Sequence, residues 1–122
     1  MAAPNLNAPT TVRGMTAAVN LSATTETALL TNAASSGKAL RIKHVTVSNT
    51  NATATADCTL RYYSAASGGT AYPSPAVTVP VGGSVILIGA ENPIWLEEDR
   101  RLTVQASAAN YITVICSYEE VS

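Results

Sequence analysis

Phenylalanine is absent from this chain of 122 residues, which also holds one tryptophan and one histidine. Charged side chains make up 12% of it, and the formal net charge is −1. Each shortage excludes something. So balanced a charge does not suit a protein that lives by neutralising nucleic-acid phosphates. A single histidine, His44, leaves one ready general base near neutral pH. Two cysteines, Cys58 and Cys116, are too few for a disulfide framework in a chain of this length. With one distant histidine they cannot supply a closed tetrahedral zinc set either. The longest uninterrupted apolar run, Val85–Ile88, falls far short of a bilayer span. Met1–Arg13 lacks the basic start and apolar stretch of a secretory signal. Gly68-Gly69 and Gly82-Gly83 lack the strand-to-helix setting of a phosphate-binding loop.

What the chain does contain is apolar material and threonine. Hydrophobic residues form 47% of it, with 21 alanines and 16 threonines. That suffices for a core, and with low net charge it argues against disorder. Met1–Thr16, with Pro4, Pro9 and almost no apolar periodicity, reads as an extended arm, reaching about 50 Å at roughly 3.3 Å per residue. From Ala17 onward the pattern has period two. Strands are predicted at Ala17–Leu21, Thr25–Thr31, Ala39–Asn49, Asp57–Ala65, Val77–Val81, Ser84–Ile88, Ile94–Leu96, Arg101–Ser107 and Tyr111–Tyr118. Ser67-Gly68-Gly69 is a turn, and Tyr72-Pro73-Ser74-Pro75 an irregular link.

In Ala39–Asn49, Leu40 and Ile42 have one parity while Val45 and Val47 have the other. A flat strand cannot put all four on one face, so a β-bulge near Lys43–His44 is inferred, with a strand covered on both sides as the rival explanation. Eight or nine short strands at this spacing, with no ten-residue helical period, predict an all-β chain. The expected architecture is a single antiparallel β-sandwich or jelly-roll-like domain over residues 17–122, preceded by the arm at 1–16.

Candidate chemistry is sparse. A Cys58–His44–Asp57 constellation can be drawn, but Asp57 and Cys58 are adjacent on a strand and face opposite ways. Glu97-Glu98-Asp99 could attract a hard cation; beside Arg100 and Arg101 it reads more simply as a solvated turn with its own counter-charges. Arg61 and Tyr63 share a parity, a faint trace of a single-strand nucleic-acid platform; the simpler reading is an arginine stem covering the outer sheet. Cys58 and Cys116 sit among apolar neighbours and read as buried free thiols, with a cross-strand bridge as the alternative. Trp95, opposite in parity to Ile94 and Leu96, faces outward if those two face the core. It then marks a contact surface, or else packs under the Glu91–Pro93 loop.

Four phrases together carry a resemblance: Met1-Ala-Ala-Pro-Asn5, Leu30-Thr-Asn-Ala-Ala-Ser-Ser-Gly-Lys38, Ile94-Trp-Leu-Glu-Glu-Asp99, and Val114-Ile-Cys-Ser-Tyr-Glu-Glu-Val-Ser122. As a set, spread over nearly the whole chain, they resemble a family of small virion structural proteins of tailed bacteriophages of marine and freshwater bacteria, notably cyanophages. The resemblance implies a place in the virion and transfers no catalytic residues.

The expectation is therefore a non-enzymatic capsid decoration (cement) protein without cofactor or metal. It is made in the bacterial host cytoplasm and located on the virion, at the capsid surface. The expected partners are further copies of itself, with a homotrimer favoured, and the major capsid protein or neck and tail proteins; no nucleic acid or membrane partner is expected. A neck, collar or tail component is the alternative, and a carbohydrate-binding module follows it. The expected contacts with shell or neighbouring subunits are Ala2, Ala3, Pro4, Asn5, Leu6, Pro9, Val12 and Arg13 of the arm, together with Tyr72 and Trp95.

Overall fold

A computed structural model describes residues 8–9, 11–89 and 91–122. Among them the secondary structure is all β. The strands are β1 (Val12–Asn20), β2 (Thr27–Asn32), β3 (Ala39–Asn49), β4 (Ala56–Ala65), β5 (Gly68–Pro73), β6 (Val77–Val79), β7 (Ser84–Ile88), β8 (Ile94–Leu96), β9 (Arg100–Ala106) and β10 (Ile112–Val121). Among the described residues no helix is long and apolar enough to cross a membrane.

The strands form two antiparallel five-stranded sheets. Sheet A runs β1-β10-β3-β7, with β8 also paired to β3. Sheet B runs β2-β9-β4-β5, with β6 also paired to β4. Alternation supplies the core. Cys116 and Val114 of β10, Val45 and Val47 of β3, and Leu96 of β8 face inward from sheet A; Cys58 of β4, Val79 of β6, and Leu102 and Val104 of β9 face inward from sheet B. These side chains are 0–1% exposed, so the apolar stripe of each sheet is hidden by the other.

The parity conflict in β3 is resolved by a bulge. Ser117 pairs with His44 and the next residue, Tyr118, with Ile42, so Lys43 is the extra residue. That single insertion puts Leu40, Ile42, Val45 and Val47 on the inner face, and all four are buried.

Ten strands form where eight or nine were expected, several strand ends shift by up to three residues, and two stretches differ in kind. The first strand begins at Val12, inside the stretch read as an arm, and Val12–Thr16 pair with β10. All five residues of this segment are exposed and carry no apolar period, so nothing local distinguishes an edge strand from an arm. Tyr72-Pro73 ends a strand, β5, in place of an irregular link. Its glycines and proline masked it, because both residue types weaken strand propensity and are tolerated at sheet edges.

Candidate functional site

The residues singled out from sequence fall in separate places. Ala2, Ala3, Pro4, Asn5 and Leu6 lie outside the described residues. Pro9 is exposed and precedes the first strand. Val12 and Arg13 open β1, an edge strand of sheet A among the described residues, where Arg13 donates to Glu120 of β10 at 3.1 Å. Trp95 sits on β8 at the opposite edge of the same sheet, opposite Arg41. Tyr72 is on β5, an edge of sheet B, with its ring centroid 6.3 Å from that of Tyr62. The fold thus brings no two of these three regions together.

The Cys58–His44–Asp57 constellation is not assembled. Cys58 points into the core, where burial pushes its thiol up to about 11 against a weaker opposing hydrogen bond from the Gln105 backbone. Cys116, directed inward from sheet A, is a second free thiol, pushed up to about 11 by burial alone. His44 lies on the outer side of sheet A, hydrogen-bonded to the Thr46 hydroxyl. The Asp57 carboxylate faces the outside of sheet B and accepts from the Thr78 hydroxyl at 2.8 Å. Among the described residues no cluster of three or more His, Cys, Asp or Glu is placed to hold a metal ion.

The acidic turn at 97–99 serves as a loop tie. Glu98 accepts from the Gly37 N–H at 3.3 Å, Asp99 accepts from the Ala66 N–H at 3.0 Å, and Glu97 lies 3.5 Å from Arg100. Its carboxylates are thereby engaged by two neighbouring loops and one cation.

The outer face of sheet B is a polar network. Glu26 accepts hydrogen bonds from Thr103 and from the Tyr63 hydroxyl, and these hold its carboxyl below the usual range. The same bond raises the Tyr63 hydroxyl above its ordinary value. Arg61 donates to Gln105 at 2.6 Å, and the Arg101 guanidinium lies 3.8 Å from the Tyr63 ring centre. The Tyr63 ring, which sequence parity offered as a stacking platform, is already covered by a cation. A depression of about 260 Å³ opens beside this network, between Asp57, Thr59, Gln105 and Ser107.

The outer face of sheet A differs. Cross-strand register aligns Asn20, Thr113, Ser48 and Ser84 in one row and Ala18, Ile115, Thr46 and Ile86 in the next. Neither row carries a charge. Ile86 is 60% exposed and Ile115 46% exposed. Trp95, 42% exposed, stands farther along the same face, beside Arg41 and the Lys43–Glu119 ion pair. Isolated exposed apolar residues are ordinary; here three large ones share one sheet face. Sequence alternation had picked out Trp95. It missed Ile86 and Ile115, because an apolar residue in an apolar run shows its side only once register is known.

Comparison of the chain with protein-family models, with curated proteins and with solved structures found no match.

Proposed function

We propose that this chain is a non-enzymatic structural protein of a tailed-phage particle, a decoration (cement) protein that binds the outer shell as a symmetric oligomer. The observation that carries the reading is the outer face of sheet A, with Ile86 and Ile115 exposed on its uncharged rows and Trp95 farther along. Covering such a face removes apolar area from water, worth roughly 25 cal/mol per Å² before the costs of association.

The strand order adds support for a jelly-roll arrangement. Successive strands alternate between sheets A and B from β1 to β4 and again from β8 to β10, and the last strand returns beside the first. Jelly rolls recur in shell proteins as well as in lectins, so fold alone does not decide the role. The resemblance of the four sequence phrases favours the virion. The N-terminal arm is the second attachment element of this reading, without Val12–Thr16, which belong to the sheet.

The test is rebinding to particles purified without this protein. Wild-type chain should bind in hundreds of copies per particle, counted by quantitative mass spectrometry. Ile115→Glu and Trp95→Ala should each cut occupancy about tenfold, the loss typical of a contact worth roughly 1.4 kcal/mol, while leaving the melting temperature nearly unchanged. Full occupancy by the double variant overturns the proposed surface. A count near a dozen moves the protein to the neck or tail.

A further inference from the structure

The first strand carries a contact that its own geometry specifies. Thr11 and Ser122 exchange both backbone hydrogen bonds, at 3.0 and 2.8 Å, and the Leu21 N–H donates to the Ile112 carbonyl at 2.9 Å. The β1–β10 register runs between these two points without a shift. In an antiparallel ladder, residues alternate between those that bond to the neighbour and those that bond away from it. Residues 13, 15, 17 and 19 therefore bond to β10. Val12, Gly14, Thr16, Ala18 and Asn20 aim their N–H and C=O groups at the open edge, where no described residue meets them.

Such an edge is usually blunted by proline, a bulge, brevity or charge. The other edges of this protein are blunted in these ways. β2 is six residues long with a register shift between Ala28 and Leu30. β5 ends in Pro73 and has its own shift. The far edge of sheet A is divided between five-residue β7 and three-residue β8. β1 has nine residues, no proline, no bulge and one charge, Arg13, which is already paired with Glu120.

We propose that β1 pairs antiparallel with β1 of a second copy, across a two-fold axis at Thr16. In this register Thr16 faces Thr16 of the other copy, Gly14 faces Ala18, and Val12 faces Asn20. All five outward residues on each copy are satisfied, giving ten interchain hydrogen bonds, the number found in a standard interface. Any other register leaves outward groups unpaired at the ends. Arg13 meets Val19, so no like charges are opposed, and the substituents are small enough for close approach. No other described edge of the protein is long and regular enough to accept β1, which selects a second β1 as the occupant. The contact is isologous and self-closing, hence a dimer or an even-numbered assembly, against the trimer favoured from sequence. The two outer faces of sheet A then lie on one side of a continuous sheet.

This deepens the reading above only in its self-association, and it is tested in solution without particles. Sedimentation equilibrium of the full chain should give a concentration-dependent dimer of the 12.5 kDa protomer. Thr16→Pro removes a donor that faces outward and leaves the β10 ladder intact, so it should be monomeric with an unchanged circular dichroism spectrum. Thr16→Cys brings two Cα atoms about 5.5 Å apart, within disulfide range. Ala18→Cys leaves its two copies about 13 Å apart, at roughly 3.3 Å per residue. Air oxidation should therefore cross-link Thr16→Cys at least about tenfold faster than Ala18→Cys. A wild-type monomer or trimer, a dimer that persists in folded Thr16→Pro, or equal cross-linking of the two cysteine variants overturns the pairing. Particle binding by a monomeric wild-type chain would leave the virion reading standing alone.

Discussion

The buried side-chain amide of Asn32 on β2 donates to the carbonyl of Leu96 on β8 at 3.0 Å, joining a side chain of one sheet to the backbone of the other. It also donates to the Lys38 carbonyl at 2.9 Å. Asn49 repeats the device from the opposite sheet: on β3, it donates to the Val79 carbonyl of β6 at 3.2 Å and to the Ala54 carbonyl at 2.9 Å. Both asparagines are 3% exposed. These two polar staples close the layers where strands cannot pair across them.

Replacing either asparagine by leucine should therefore destabilise the protein by about 2–3 kcal/mol. The leucine leaves two carbonyls without their donor, and the unmet buried acceptor is the costly part. Urea denaturation of Asn32→Leu and Asn49→Leu measures the loss. The double variant should show the sum of the two losses if the staples act independently.

Alkaline stability should follow the thiols. Cys58 and Cys116 have folded values of about 11, against an ordinary 9.0, because both are buried. The protonated form is favoured in the folded state, so their contribution is fully present below pH 9 and falls as pH rises towards 11. Tyr63 and Tyr118, also raised, add to the decline above pH 10. Cys58→Ala with Cys116→Ala should lower stability at pH 7 through the cavities left and flatten its decline between pH 9 and 11. Chemical denaturation across that range gives both quantities. The native thiols should resist alkylation at pH 8 and react once unfolded.

Acid stability should depend on Glu26 with the opposite sign. Hydrogen bonds from Thr103 and then Tyr63 lower its carboxyl from an ordinary 4.5. Its contribution is present above pH 4.5 and is lost as pH falls through the depressed folded value. Glu26→Gln should make the acid side of the stability curve shallower, read from thermal melts between pH 2 and 6. Glu119, lowered chiefly by its hydrogen bond with Lys43, keeps part of that acid slope in the variant.

Two glycines should respond differently to alanine. At Gly69, φ is +78° and a Cβ would lie 2.7 Å from the Ala65 backbone nitrogen. Gly69→Ala should cost about 1–3 kcal/mol, from left-handed strain and contact together. At Gly14 nothing lies within 4 Å of the added carbon, and Gly14→Ala should be neutral or stabilise by about 0.5 kcal/mol through the unfolded chain. Differential scanning calorimetry of the pair separates the two cases.

Period and composition carried the local features of this protein. Alternation announced an all-β chain, the parity break between Ile42 and Val45 announced the bulge at Lys43, and the alternation through Ile94-Trp95-Leu96 turned Trp95 outward. A strand's side chains alternate whatever it pairs with, so these were legible in the residues. Partnership is not local. Nothing in Val12–Asn20 announces that it lies beside β10, with Val12 opposite Val121 and Asn20 opposite Thr113.

Which face of an alternating strand meets the core, which backbone groups stay open along an edge, and which exposed side chains share a surface all depend on register between distant segments. Ile86 and Ile115 belong to one row only because β10 and β7 flank β3. Asn32 and Asn49 carry no sign in the sequence of the carbonyls that burial brings to them from a strand of the other sheet. The physical reason is common to all of these: side-chain direction is set within a strand, whereas contact is set by hydrogen bonds between strands.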